Sequence, residues 1–216
     1  MTSLPLNPFV EVVNVCSMLL LLTAFAIVAQ RRLSACVDLY MIQSFLLAVT
    51  AAVVAAGTGI VHLYIAAGLN LVIKVLVIPP ILRRTVKRLN VKREVELIVN
   101  IPSSLLACGG LMILALYLAE PIRRVGPMLT NDSLALGLAV ILIGGFTMVT
   151  RRKLVTQIVG FLVIENGVFL LATAIAYGMP LIVELGVFFD VLVAAIVIGI
   201  VVHRIQSTFD SLEPQS

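Results

Sequence analysis

Val12 to Gln30 is a run of nineteen residues without a charged side chain, bounded by Glu11 and by Arg31-Arg32. About twenty such residues, each advancing 1.5 Å along an α-helix, cross the roughly 30 Å hydrocarbon core of a bilayer. Six more runs of this kind follow. They are Leu33 to Ala56, with Asp38 near its start; Ile60 to Leu82, with Lys74 inside; Leu97 to Ala119; Ser133 to Thr150; Leu154 to Tyr177, with Glu165 inside; and Leu181 to Val202, with Glu184 and Asp190 inside. Gly57-Thr58-Gly59 and Gly178-Met179-Pro180 read as turns between neighbours. Strands of a membrane barrel would span only about 9–11 residues, with alternating polarity. The pattern therefore predicts an all-α membrane protein of seven transmembrane helices. No basic residue precedes the first run, so it reads as a retained span and not as a cleaved signal peptide.

With 61% apolar and 12% charged residues, the chain departs from soluble domains, of which about 25% is charged. That balance excludes a soluble globular domain, a disordered tail and a nucleic-acid binder. The net charge of +4 lies in the connections between apolar runs, where it reports orientation. With the N-terminus outside, Arg31, Arg32, the basic loop of Arg83, Arg84, Lys87, Arg88, Lys92 and Arg93, then Arg151, Arg152, Lys153 and Arg204 all fall inside. Only Arg123 and Arg124 fall outside. Twelve against two places the C-terminus in the cytoplasm; the expected location is the inner (cytoplasmic) membrane. Residues 1–216 form a single membrane domain, with no connection long enough for a nucleotide, sensor or soluble catalytic domain. Cys16, Cys36 and Cys108 are widely separated within apolar runs. They form neither a disulfide framework nor a metal cluster of ordinary spacing, so no cofactor is expected on this chain.

Spans one to three and five to seven share an orientation, and their sequences echo each other. Arg31-Arg32 and Arg151-Arg152-Lys153 follow the first helix of each trio. Gln43 in Tyr40-Met41-Ile42-Gln43-Ser44 stands opposite Glu165 in Leu162-Val163-Ile164-Glu165-Asn166. Basic residues close both trios 52 positions after the opening pair, at Arg83-Arg84 and His203-Arg204. A parallel three-helix repeat would divide the chain into a first unit at 9–83, a connecting helix at 97–119 and a second unit at 133–204. Gln43 would then be the neutral counterpart of Glu165.

An ionisable group at the centre of a span costs roughly 2.5–3.5 kcal/mol on insertion scales. Lys74, Glu165, Glu184 and Asp190 are the groups concerned. Counting inward from the helix ends puts Glu165 roughly 16 Å deep, Asp190 roughly 14 Å and Lys74 roughly 12 Å. Glu184 is shallow and reaches the outer interface. Deep carboxylates with polar neighbours mark ion pathways and proton relays. Asn166 beside Glu165, and Asn70 one turn before Lys74, offer hydrogen bonds to water or to side chains. The alternative is a buried ion pair of Lys74 with Glu165 or Asp190 that only locks the bundle.

Pro79 and Pro80 carry no N–H, so the carbonyls of Val75 and Leu76 lose helical partners. Either a hydrated kink forms beside Lys74, or the prolines end the helix before Arg83. His62 and His203 read as interfacial and the cysteines as packing. Gly109-Gly110 and Gly144-Gly145 are small-residue positions where helices can approach closely.

The words Gly160-Phe161-Leu162-Val163-Ile164-Glu165-Asn166 and Phe189-Asp190-Val191-Leu192-Val193-Ala194-Ala195 resemble the K subunit of respiratory complex I and the C subunit of Mrp-type antiporters. Over all seven spans, the chain resembles the hydrogenase-4 component E family, membrane subunits of group 4 nickel–iron hydrogenases and formate hydrogenlyases. The resemblance implies one acidic residue on each of two adjacent helices along a hydrophilic axis. Glu165 matches the first by local sequence, and Asp190 the second by depth and by its distance to His203. The second acid here is Asp rather than Glu, and Glu184 has no counterpart. The resemblance further implies a non-catalytic subunit. The NiFe centre and iron–sulfur clusters would reside in partner subunits, in a peripheral hydrogenase module, and the membrane partners would be antiporter-like subunits. The competing readings are a stand-alone ion transporter and a purely structural spacer. H⁺ and Na⁺ are not distinguished at this level.

Overall fold

A computed structural model of the protein describes residues 8–88, 98–123 and 131–175. Within these ranges the chain is helical apart from short connections. Helix α1 spans Pro8–Ala29 and α2 spans Leu33–Thr58; α3, Val61–Asn70, runs through a π-helical segment, Leu71–Val77, into α4, Ile78–Arg88. Then come α5 (Ile101–Arg123), α6 (Asn131–Thr150) and α7 (Leu154–Ile175). Among the described residues, six stretches are long and apolar enough to cross a membrane: Phe9–Ala29, Leu33–Thr58, Val61–Arg84, Ile101–Ile122, Asp132–Thr150 and Leu154–Ala174. The protein is a multi-pass, all-helical membrane protein over the described residues. The seventh expected span, with the turn at 178–180, Glu184, Asp190 and His203, lies outside them.

Three local expectations change. The segment carrying Arg83, Arg84, Lys87 and Arg88 is not a loop; it continues the helix to Arg88. Lys and Arg are good helix formers, and nothing breaks the helix between Leu82 and Arg88. Nor do Pro79 and Pro80 end the helix. A proline ring collides with the carbonyl four residues earlier in a regular α-helix. Here the prolines follow the wider π turns, and Ile78 N–H donates to the carbonyl of Ile73, five residues back. The turn after α2 also sits later than residue 57. Helix continues through Thr58, and Gly59 takes a left-handed conformation at φ 71°, its N–H donating to Ala55 C=O at 2.8 Å. A side chain there would pay the usual left-handed penalty.

The helices pack as two antiparallel hairpins laid against each other. α1 pairs with α2 and α6 with α7, while α1 also packs on α6 and α2 on α7. α3 and the π segment flank α2, and α5 lies against α6 and α1. Lipid tails are as apolar as these side chains, so burial alone does not hold such helices together; close packing and hydrogen bonds do. The α6–α7 hairpin makes this concrete. Gly137 and Gly144 on α6 stand seven residues apart, as do Gly160 and Gly167 on α7. A Cβ on Gly144 would lie 2.7 Å from Ile164 N, one on Gly160 2.8 Å from Met148 N, and one on Gly167 2.8 Å from Ile141 N. The two backbones meet where glycine leaves room. Of the small-residue positions read from sequence, Gly144 serves this purpose. A Cβ on Gly145, Gly109 or Gly110 would meet nothing within 4 Å among the described residues.

Polar ties close the ends. The Arg151 guanidinium is buried and donates to the carbonyl of Val28 at the end of α1. Burial holds its pKa below the ordinary arginine value, with the Cys36 and Cys108 thiols acting weakly in the opposite direction. Arg83 on α4 pairs with Asp38 on α2, both side chains about half exposed. Toward the other end of the spans, Ser17 donates to Val13 C=O at 2.8 Å and shares a 2.9 Å hydrogen bond with Ser133.

Candidate functional site

Three helical segments converge at mid-bundle. α2 contributes Gln43 and Ser44, the π segment contributes Lys74, and α7 contributes Glu165 and Asn166. All five side chains are 0–2% exposed. Helical periodicity explains the α7 face, because Glu165, Asn166 and Phe169 stand within one turn. Lys74 owes its position to the π segment.

Lys74 Nζ lies 3.5 Å from Glu165 Oε1 and donates to Asn166 Oδ1 at 3.1 Å. The Phe169 ring centroid is 6.0 Å from the ammonium, at the outer limit of a cation–π contact. Asn166 Nδ2 donates in turn to Gln43 Oε1 and to Ser44 Oγ, each at 3.1 Å. Gln43 Nε2 donates to the carbonyl of Leu20 on α1 at 3.1 Å, an oxygen that also accepts from Thr23 Oγ1 at 2.7 Å. The chain of donors therefore has one direction, from the ammonium through two amides to the α1 backbone. It ties four segments together.

Of the residues singled out from sequence, the structure brings Lys74, Glu165, Asn166 and Gln43 into one network. Asn70 is fully buried on the last turn of α3, and its amide has no hydrogen-bond partner among the described residues. Asp190 and Glu184 lie outside the described residues. His62 is exposed in the first turn of α3, and all three cysteines are buried free thiols. Sequence reasoning missed Ser44, Phe169 and the Leu20 carbonyl as members of the network. Adjacency to Gln43 was the available signal for Ser44. The i+4 spacing from Glu165 was the signal for Phe169.

A buried charge pair costs desolvation that only good geometry offsets. Here the ammonium faces a carboxylate, an amide oxygen and a ring, and the amide is itself oriented by two acceptors. The arrangement can hold a fixed charge pair. It can also accept a proton on Glu165 while the ammonium keeps its bond to Asn166.

Fold and site thus define a multi-pass helical membrane protein with an ion pair buried at mid-bundle. Comparison with known proteins agrees with that class. The chain is 24% identical over 204 residues to Hydrogenase-4 component E of Escherichia coli (strain K12), covering 94% of both chains, and equally to that of Shigella flexneri. It is 39% identical over 140 residues to the uncharacterized protein Rv0085 of Mycobacterium tuberculosis. That match spans 64% of this chain and 64% of the mycobacterial one. No family model and no solved structure matches.

Proposed function

We propose that this chain is a non-catalytic integral membrane subunit of a membrane-bound hydrogenase of complex I-like construction, contributing buried carboxylates to an ion path. The observation that carries the reading is the Lys74–Glu165 pair, placed at mid-bundle and hydrogen-bonded through Asn166 and Gln43 to α1. Similarity to a hydrogenase-4 membrane component over 94% of the chain supports it. In this reading the chain spans the inner membrane seven times, with the N-terminus outside and the C-terminus cytoplasmic. Asp190, on the seventh span, is the second deep acid, and Glu184 stands at the outer end of the same path. The units 9–83 and 133–204 are a parallel duplication joined by 97–119, and the second is of the complex I K and Mrp C type. Antiporter-like subunits dock on the bundle. The NiFe centre and iron–sulfur clusters belong to partner subunits, including those of a formate hydrogenlyase type.

The chemistry is a charge relay. A proton reaching Glu165 removes the attraction that holds Lys74, and the ammonium then keeps only its bond to Asn166 or turns toward another acid. Loss of that proton restores the pair. Asn70, one turn from Lys74 with an amide unsatisfied among the described residues, offers water a place in the path.

Glu165→Gln keeps the volume and removes the titration. In the parent complex it is expected to leave assembly intact and to slow or uncouple turnover. Wild-type turnover together with wild-type ion translocation would leave only the structural spacer. The identity of co-purifying subunits separates the remaining alternative: ion transport by the isolated chain would make it a stand-alone transporter.

A further inference from the structure

We infer that the ion handled at the Glu165 site is H⁺ and that the Lys74 ammonium excludes Na⁺ from it. The inference rests on the ion-path reading above.

A proton and a sodium ion each add one positive charge, so net charge does not separate them. Ligands and room do. In a site within the membrane, Na⁺ is held by several oxygens converging on one point. A proton needs only one carboxylate oxygen and takes up no volume. At mid-bundle the point of convergence is already occupied. Glu165 Oε1 and Asn166 Oδ1 stand 3.5 and 3.1 Å from Lys74 Nζ. The ammonium sits where a monovalent cation would have to sit.

The amides cannot be turned to build a cage elsewhere. Asn166 spends its N–H groups on Gln43 Oε1 and Ser44 Oγ, and Gln43 spends its own on Leu20 C=O. Flipping Asn166 would aim its NH₂ at the ammonium. Flipping Gln43 would set two NH₂ groups and two carbonyl oxygens against each other. A buried donor or acceptor left unpaired costs about 1–3 kcal/mol, so the orientation is fixed. The oxygens of Gln43 and Ser44 therefore face N–H groups. Among the described residues, Lys74 is the titratable group that pairs with Glu165, at 3.5 Å. α2 carries buried Tyr40 and half-exposed Asp38 nearer its start, and α6 carries Asp132 in its first turn.

The test is reaction of Glu165 with dicyclohexylcarbodiimide, which attacks protonated carboxyl groups. The full-length chain is labelled in native membranes and read by peptide mass spectrometry, either as the adduct or as an amide to Lys74 formed with loss of water. Labelling is expected to fall as pH rises. The pH of half-labelling should be the same in NaCl and in choline chloride of equal strength. In Lys74→Met, which keeps most of the volume, NaCl should shift that pH downward. Protection of the wild type by Na⁺ would overturn the exclusion and leave the ion path standing. A Lys74→Met chain that stays indifferent to Na⁺ would overturn the role given to the ammonium. A Glu165 that reacts at no pH would overturn the ion-path reading itself.

Discussion

Lys74→Met, Glu165→Gln and the double variant form a cycle whose outcome follows from the pair geometry. With the two groups 3.5 Å apart and 0–2% exposed, removing either one breaks the buried pair and takes a counter-charge from the other. That costs about 3–5 kcal/mol. Two independent losses would therefore sum to about 6–10 kcal/mol. The double variant removes both members of the pair together. What remains is the Asn166 oxygen without its lysine donor, an unsatisfied buried acceptor worth about 1–3 kcal/mol. The expected coupling energy is at least about 3 kcal/mol, well above the roughly 0.3–0.5 kcal/mol within which distant sites add. The assay is equilibrium unfolding in mixed micelles, followed by the rate of thiol labelling. Cys36 and Cys108 are buried free thiols in the same core and report opening without introduced probes. A double variant as unstable as the sum of the singles, within about 0.5 kcal/mol, would refute the coupled pair.

Ala substitutions at the α6–α7 glycines are expected to split sharply. Gly144→Ala and Gly160→Ala drive a Cβ to 2.7 and 2.8 Å from opposing backbone nitrogens and should destabilise by about 1–3 kcal/mol. Gly145→Ala meets open space and should be neutral or gain up to about 1 kcal/mol of helix propensity; the same micelle titration ranks the three. Asp38→Asn breaks a half-exposed pair with Arg83 and should cost no more than about 1 kcal/mol, a loss that high salt erases in the wild type.

Much of this bundle can be read from the chain, for reasons specific to lipid. A span must satisfy its own backbone, so an uncharged run near twenty residues becomes a helix with little competition. The runs around Val12, Leu33, Ser133 and Leu154 show this. Depth was equally legible, since counting residues from a helix end gives axial height, and Lys74 and Glu165 do lie level. Azimuth was not. No count along the chain says which face of α2 looks at α7, so the Gln43–Asn166 bond had to wait for the structure. The π segment was only hinted at by Pro79-Pro80, because propensity does not distinguish π turns from α turns. The sevenfold glycine spacing, 137 and 144 against 160 and 167, was present in the sequence. It acquires meaning only once α6 and α7 are known to be antiparallel neighbours.

The glycine contacts also decide how the pair can move. Glu165 is mounted between Gly160 and Gly167, on two backbones already pressed to the limit of approach. Lys74 is mounted on π turns, a rare backbone geometry that occurs mostly as short bulges inside α-helices, often at functional sites. One charge thus rides on a closely packed helix pair and the other on an irregular turn. A shift of α7 toward α6 is blocked by backbone contact, so the carboxylate cannot leave the pair in that direction.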